Sequence, residues 1–240
     1  MTDASGPDRR PLGGARGKET AEEQLRAEIA LGDLAPGQRL VEAELAERYG
    51  VTRNSARLAL DTLAGDGLVE RIPNRGARVR TVSTAEAVAI MECRLVLDGL
   101  VARKAAGAAT DTEVAQLQVN AGLMAEALAA QELLRYSALI QEHHALLREA
   151  ARQPVAAALV ERLQAQIVRH QFRLSLRPHR PQQSLAELRR VVEAVAARDG
   201  DAAEEAARAH MRAVVAALEA TPDGGLPSSG RSLTMFPTRS

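Results

Sequence analysis

Arg53 and Arg57 are the side chains whose types and spacing most directly suggest a chemical role. Residues one helical turn apart lie on the same side of a helix, so the two guanidinium groups and the nearby Asn54 would share an exposed helix start. Such a surface suits a DNA major groove, because Arg can bond bidentately to guanine or contact a phosphate. The alternative is an ordinary helical hairpin with a solvated Arg face, on which Arg57 pairs with Asp61.

The residues around this pair predict a helix, a sharp turn and a second helix. Gly50 gives the backbone the freedom that a tight turn needs. Thr52 is a favourable N-cap for the second helix, because its hydroxyl can accept a hydrogen bond from an unpaired backbone N–H. Small and apolar residues then recur at helical spacing and predict a buried face: Ala56, Ala59, Leu60 and Leu63. The segment 44–60 therefore predicts a helix-turn-helix.

A short β-hairpin is predicted directly after this unit. Residues 68–72 read as a strand, residues 73–76 as a turn and residues 77–82 as the returning strand, which together would make a winged helix. Arg75 at the wing tip could lie along the DNA backbone or enter a minor groove. The alternative is a surface hairpin that carries an Arg without a role. Residues 71–80 contain four Arg and no acidic residue, which predicts a segregated basic face although the formal net charge of the chain is zero.

The composition indicates a globular protein with helix-rich domains. A length of 240 residues is enough for two domains, and a hydrophobic content of 46% with only 2% aromatic residues predicts cores of Ala, Leu and Val. Cys93 is the only cysteine, which excludes an intrachain disulfide. No apolar run is long enough to span a bilayer, and residues 1–18 carry no apolar signal-peptide core. We therefore expect a cytoplasmic protein with no membrane partner.

Helical periodicity continues through the remainder of the chain. Besides a first helix at about 20–31, helices are expected at about 84–108, 112–129, 132–151, 155–176, 184–198 and 201–219, with a loop at 177–181. Thr110, Ser184 and Asp201 or one of its neighbours are candidate caps. The predicted fold class is mainly α, with an N-terminal winged helix-turn-helix and a C-terminal all-α bundle. The predicted domains are a flexible tail (1–18), the winged helix (19–82), the helical domain (83–220) and a disordered tail (221–240).

One family pattern matches most of the segment 19–82. The matching residues are Leu25-Arg26, Ile29, Gly32-Asp33-Leu34, Pro36-Gly37, Arg39-Leu40, Glu44-Leu45-Ala46-Glu47, Gly50-Val51-Thr52-Arg53, Arg57, Ala59-Leu60, Leu63, Gly67-Leu68-Val69 and Arg75-Gly76. The segment resembles the DNA-binding domain of the GntR family of bacterial transcription regulators. The resemblance implies that Thr52, Arg53, Arg57 and Gly76 occupy DNA-contact positions. At one family contact position, where an Arg is expected, this chain has Ala43.

The helical half matches a second pattern more loosely. The matching residues are Glu92-Cys93-Arg94, Leu97-Asp98, Ala102, His144, Leu147, Ala150, Pro154, Ser184, Glu187, Asp201-Ala202, Ala206 and His210. This half resembles the ligand-binding domain of the FCD (FadR C-terminal domain-like) subclass of the same family. The resemblance implies a helical bundle around an effector pocket, and a homodimer.

The resemblance also bears on a metal site. Many members of the subclass hold a divalent metal with one Asp and three His, and His144 and His210 match the first and third His. Ile140 stands at the Asp position and Leu188 at the second His position. His143 and Glu142 have a helical phase that differs from that of His144. Two imidazoles alone make a weak site, so we expect no metal cofactor, with His144 and His210 as the only weak candidates.

His144, His210 and Arg94 are the candidate effector contacts. The two histidines either hydrogen-bond an effector directly or are core histidines with partners of their own. A buried Arg needs an anionic partner, which for Arg94 is either a carboxylate of the effector or Asp98, one turn further on.

These observations predict a dimeric, ligand-responsive transcription regulator, most simply a repressor, and not an enzyme. Its expected partners are double-stranded DNA, read at a near-palindromic operator, a small organic acid and a second copy of the chain. The DNA contacts would be Thr52, Arg53, Asn54, Arg57, Arg75 and Gly76. The alternatives are a constitutive DNA-binding protein with a non-functional pocket and, at lower weight, a metal-dependent effector site.

Overall fold

Helices make up most of the fold, and a small sheet lies near the N-terminus. The computed structural model describes residues 11–73 and 75–220. The elements in chain order are α1 (Gly14–Leu31), β1 (Arg39–Leu40), α2 (Glu42–Tyr49), α3 (Arg53–Gly65), β2 (Val69–Ile72), β3 (Gly76–Val79), α4 (Thr84–Ala108), α5 (Asp111–Ala129), α6 (Leu133–Ala150), α7 (Pro154–Ser175), α8 (Arg180–Ala196) and α9 (Gly200–Glu219). The predicted fold class is confirmed.

The helix-turn-helix consists of α2 and α3. Gly50 ends α2 in the left-handed conformation, with φ of 64°, which a residue without a Cβ adopts at little cost. Thr52 caps α3, and its hydroxyl oxygen accepts a hydrogen bond from the backbone N–H of Ser55 at 3.2 Å. The predicted apolar face of α3 is buried against the core of the N-terminal domain, as is Val51 in the turn. Both the cap and the buried face are therefore confirmed.

The wing is a hairpin of β2 and β3, and β1 adds a third antiparallel strand in the order β1-β3-β2. Gly76 begins β3 with φ of 87°, and a Cβ atom at this position would lie 2.5 Å from the carbonyl oxygen of Leu40. The close approach of β1 to the wing therefore requires a glycine there. Asn74, at the tip of the hairpin, lies outside the described residues.

The first helix begins earlier than the sequence indicates. Helix α1 starts at Gly14 rather than near Thr20, so residues 14–18, expected in a flexible tail, are helical. Two backbone hydrogen bonds of 2.8 Å join Leu12 to Gly50 and Thr52, and Gly17 is buried against Ser55. Apolar periodicity misses this turn, because backbone pairing and a close glycine contact hold it in place. Residues 1–10 and 221–240, where the two tails were expected, lie outside the described residues.

The helical domain is the bundle α4–α9, and α4 is its central helix. Apolar residues of α4 such as Val101 and Ala105 pack with α8 and α9 in a core of Ala, Val and Leu. Thr110 forms a capping box with Glu113 at the start of α5. Asp199 caps α9, two residues before Asp201.

Helix α8 begins at Arg180 rather than near Ser184, so the expected cap at Ser184 is wrong. The predicted loop is confirmed at residues 177–179, but residues 180 and 181 belong to the helix. Pro181 lies in the first turn of α8, where a missing backbone N–H costs nothing. The extra turn brings Arg180 and Pro181 into the bundle, and both residues are buried.

Helix α7 joins the winged helix to the bundle. Gln166 of α7 accepts a hydrogen bond from Arg80 at 3.1 Å, and Arg162 lies 3.5 Å from Asp66 at the end of α3. His170 Nε2 donates to the carbonyl oxygen of Val82, just before α4, at 2.9 Å. The position of the winged helix is thus tied to one helix of the bundle.

Candidate DNA interface and effector cavity

An open groove of about 610 Å³ lies between the start of α3 and the wing. Arg53 lines one side of the groove, Arg75 and Gly76 line the wing side, and Ala43 of α2 contributes only a methyl group. The structure thus brings together three of the predicted DNA-contact residues. A positively charged concave surface of this kind fits the sugar-phosphate backbone of a nucleic acid.

The other predicted contacts lie on α3 beside the groove. Arg57 donates a hydrogen bond to the side-chain oxygen of Asn54 at 2.9 Å, so these two exposed residues orient each other. The alternative pairing of Arg57 with Asp61 is not formed, because Asp61 pairs with Arg71 at 2.6 Å instead. Thr52 caps the N-terminus of α3, which is the end of that helix beside the groove.

The basic segment 71–80 is less positive than its sequence suggests. Arg71 pairs with Glu42 and Asp61, Arg78 pairs with Glu70, and Arg80 pairs with Glu86. The expectation of a segregated basic face is therefore wrong for these three arginines, because α2, α3, β2 and α4 supply carboxylates from outside the segment 71–80. Within residues 11–73 and 75–220, Arg75 is the member of this segment that has no carboxylate partner.

A second candidate site is a cavity of about 60 Å³ inside the bundle. Its apolar wall includes Met91 of α4, Ile140 of α6 and Met211 of α9, and its polar wall includes His144, Arg180 and His210. Apolar sides with a few converging polar groups are typical of a small-molecule site, but the volume is well below the ~300–1,000 Å³ of pockets for drug-sized ligands, so the space fits a ligand of only a few heavy atoms.

The polar wall is organised by Glu187. Its carboxylate accepts two hydrogen bonds from Arg180, each of 3.0 Å, and lies 2.7 Å from Nδ1 of His210. Burial by itself would raise the pKa of Glu187, but the hydrogen bonds from His210 and Arg180 outweigh it, so the pKa is lowered and the carboxylate stays ionised. Glu187 therefore fixes one ring nitrogen of His210 and the guanidinium of Arg180 at the cavity.

Tyr136 completes the cavity wall on the α6 side. Its hydroxyl donates a hydrogen bond of 2.8 Å to the carbonyl oxygen of Pro181. Burial is the main cause that raises its pKa to about 12, so the hydroxyl remains protonated. This bond ties the first turn of α8 to α6 and holds Arg180 in place.

His143 and His144 are both buried, but they face different neighbours. His144 lines the cavity, and its ring centroid lies 6.3 Å from that of His210. His143 faces α5, where its Nδ1 lies 3.2 Å from the side-chain oxygen of Asn120, in line with its different helical phase. Burial is the main cause that lowers the pKa of His143 to about 4 and the pKa of His144 well below its usual value. Both rings are therefore neutral near pH 7.

These lowered pKa values predict a loss of stability in acid. Between pH ~6.5 and ~4 the unfolded chain binds a proton that the buried ring of His143 does not bind. As the pH falls through this window, His143 should therefore lower the free energy of unfolding by about 1.4 kcal/mol per pH unit, and His144 acts in the same direction. His143→Gln should make the dependence shallower by one proton. Urea unfolding of both proteins across this pH range measures the two slopes, and parallel profiles would contradict the assignment.

Among the described residues, Arg94 is not one of those that line the cavity. It is fully buried, and its Nε donates to Oδ2 of Asp98 at 3.0 Å, which is the local pairing that the sequence left open. Its Nη1 and Nη2 have no hydrogen-bond partner among the described residues. Arg94 is still close enough to His144 to contribute to the lowered pKa of that ring. The polar wall of the cavity uses Arg180 instead.

The four-ligand metal set of the FCD subclass does not fit these residues. Ile140 lines the cavity and Leu188 is buried in the core, so neither position offers a ligand atom. The bond from Nδ1 of His210 to Glu187 leaves Nε2 of that ring available, as in many metal ligands, so the misfit rests on the two missing ligands. In the part of the chain that the structure describes, no group of three or more His, Cys, Asp and Glu side chains could hold a metal ion.

Sequence reasoning missed Arg180 and Tyr136. Arg180 was assigned to a loop, although Pro181 after it and Glu187 two turns later are consistent with a helix start and an ion pair across two turns. For Tyr136 no local signal exists, because its partner, Pro181, is 45 residues away.

Comparison with known proteins agrees with both halves of the chain. Residues 18–79 match the family described as bacterial regulatory proteins, gntR family, and residues 89–213 match the FCD domain. The HTH-type transcriptional repressor RspR of Escherichia coli (strain K12) is 30% identical over 190 residues, which are 79% of this chain and 83% of that protein. The HTH-type transcriptional repressor NagR of Bacillus subtilis (strain 168) is 41% identical over 58 residues, 24% of each chain.

Solved structures show the same fold at low sequence identity. The structure of E. coli McbR/YncC has a TM-score of 0.74 at 19% sequence identity, and the match covers 85% of this chain and 97% of that one. A GntR transcriptional regulator from Rhodococcus sp. RHA1 has a TM-score of 0.70 at 21% identity, over 87% of this chain and all of its own. None of the described helices is long and apolar enough to cross a membrane.

Proposed function

The chain belongs to the GntR family of bacterial transcription regulators, which are DNA-binding proteins and not enzymes, and on that premise we propose that it is a dimeric repressor whose operator binding responds to a small organic acid. The observation that carries this proposal is the arrangement of α7. The helix contributes Gln171 and Leu174 to the cavity wall, and its residues Arg162 and Gln166 contact the winged helix.

The DNA-reading part of the proposal uses α3 and the wing. Two winged helices in a dimer would place the starts of two α3 helices in successive major grooves of a near-palindromic operator, about one duplex turn apart. Support comes from the exposed Arg53, Asn54 and Arg57 at the start of α3. Arg75 and Gly76 add to it, because they line the neighbouring groove of the protein between α3 and the wing. The homodimer itself is implied by the resemblance to FCD regulators.

Arg53→Ala should weaken operator binding by about 1–3 kcal/mol and relax the sequence preference at one position of each half-site, if the contact is bidentate to a base. Arg48→Ala is the matched control, because Arg48 is exposed on the neighbouring α2 but pairs with Glu28 at 2.9 Å. Duplexes selected from a random library by the unsubstituted protein provide the operator for a binding titration. Equal affinity of Arg53→Ala and the unsubstituted protein would contradict the docking of α3.

The effector part of the proposal rests on the cavity. His144, His210 and Arg180 would bind the carboxylate of an acid, and the apolar wall would accommodate a short carbon chain. An effector shifts the regulator only through a difference in affinity between the two arrangements of the DNA-binding domains. Since α7 contacts both the cavity and the winged helix, a change in its packing would be transmitted to the DNA interface. The similarity to RspR and NagR, both of which are named transcriptional repressors, favours repression.

The proposed site acts without a metal. A thermal unfolding scan with a panel of short mono- and dicarboxylic acids, with and without a chelator, tests this. A bound acid stabilises the folded protein by about 2.7 kcal/mol at a hundredfold excess over its Kd, and the resulting shift in Tm should survive chelation and be lost in His144→Phe. Gln116→Ala, an exposed substitution on α5, is the control. Stabilisation by zinc alone would contradict the metal-free site, and no response to any acid would favour a constitutive DNA-binding protein.

A further inference from the structure

Arg39 of β1 lies in the groove between α3 and the wing, together with Arg53 and Arg75. It is exposed, and its Nε donates to the carbonyl oxygen of Arg75 at 3.3 Å. Within residues 11–73 and 75–220, no carboxylate pairs with Arg39. An Arg that uses one donor to hydrogen-bond the wing backbone still has its positive charge and its other donors for a partner outside the chain.

The groove contains a second kind of arginine for comparison. Arg71 also lines it, but Arg71 is neutralised by Glu42 at 3.0 Å and Asp61 at 2.6 Å. One guanidinium and two carboxylates leave this cluster with a formal net charge of −1. Among the residues that the structure describes, the cations at this groove without a carboxylate partner are Arg39 of β1, Arg53 of α3 and Arg75 of the wing. The small residues Ala43 and Gly76 leave space between them.

We propose that this groove holds one sugar-phosphate strand of the DNA duplex, and that Arg39 contacts a phosphate of that strand. The inference rests on the proposed function, in which α3 enters a major groove and the wing approaches the adjacent minor groove. Because a single backbone strand separates a major groove from the neighbouring minor groove, that strand must pass between α3 and the wing. Arg39 lies between these two elements, so it contributes affinity and orientation but no base readout.

The salt dependence of duplex binding tests this role. The probe is a fluorescein-labelled duplex of mixed sequence, three helical turns long, titrated by anisotropy at a series of salt concentrations. Arg39→Ala should reduce the slope of log K against log salt by about 0.9 for each lost contact, hence by about 1.8 in a dimer. Arg39→Lys should keep most of the slope, because a lysine preserves the point charge that a phosphate needs.

Arg78→Ala is the matched control. Arg78 is the direct neighbour of Arg39 in the pairing of β1 with β3 and is also exposed, but it pairs with Glu70 at 2.7 Å. The substitution changes the net charge by the same amount and should leave the slope unchanged. Equal slopes of log K against log salt for Arg39→Ala and Arg78→Ala would overturn the inference. The inference would also be overturned if Arg39→Lys reduced this slope as much as Arg39→Ala does. Absence of salt-dependent duplex binding by the unsubstituted protein would overturn the proposed function itself, and the inference with it.

Discussion

Asp98→Asn should lower the free energy of unfolding by about 3–5 kcal/mol, because removal of one partner leaves a buried charge without compensation. Arg94 has no exposed surface, and Asp98 is the carboxylate that its Nε contacts, at 3.0 Å. Nη2 of Arg94 lies 3.0 Å from the same Oδ2 of Asp98, and neither Nη atom has a hydrogen-bond partner among the described residues, so little else is available to replace the lost charge. Urea unfolding at a fixed protein concentration measures the effect.

The double variant Arg94→Met, Asp98→Leu separates the cost of an unpaired charge from the worth of the pair. Replacement of a whole buried pair by apolar side chains is often neutral or stabilising by about 1–4 kcal/mol, so the double variant should be much more stable than Asp98→Asn. Glu132→Gln serves as the control, because Glu132 and Arg135 form an i,i+3 pair in which each side chain is 49% exposed. If Asp98→Asn and the unsubstituted protein have the same free energy of unfolding, the assignment of a buried, compensated charge to Arg94 is refuted. The stable double variant also tests the predicted role of Arg94, since it should lose the effector response if Arg94 binds the acid.

Glu187→Gln should destabilise the folded protein by about 3 kcal/mol, near the lower end of the range for loss of one partner of a buried pair. The lower end applies because the side chain of Glu187 keeps 17% of its surface exposed, against 8% for Arg180. The substitution leaves Arg180 buried without a counter-charge and removes the carboxylate that holds His210. Chemical unfolding again gives the free energy.

Glu205→Gln is a close control for Glu187→Gln. Glu205 and Arg212 are also seven residues apart and also form two hydrogen bonds, of 3.0 and 3.3 Å, but their side chains are 65% and 53% exposed. An exposed pair contributes little to stability, because solvent screens the charges, so Glu205→Gln should be far less destabilising than Glu187→Gln. If the two Gln variants lose the same stability, burial does not determine the strength of the pair at Glu187.

Local order along the chain was readable from the sequence by itself. The turn at Gly50, the cap at Thr52 and the capping residue Thr110 depend on neighbours within a few residues, and the structure confirms each of them. The apolar repeat of α3 and the boundaries of α4 were likewise predicted, because a helical period records which face is buried. The same local patterns carried the resemblance to the family, and with it the prediction of DNA-contact positions on α3.

Only the tertiary structure decided which charges are free and which side chains reach the cavity. Arg71 is neutralised by Glu42, 29 residues earlier, while Arg39 and Arg53 keep their charge at the same groove. Arg94 turns toward Asp98, and Arg180 takes a place in the cavity wall because Tyr136, 45 residues away from Pro181 in sequence, fixes the first turn of α8. Helical period and capping report interactions within one or two turns. Which charged side chains become buried, and which reach the cavity, depends instead on which helices meet in space, and no local pattern in the chain contains that information.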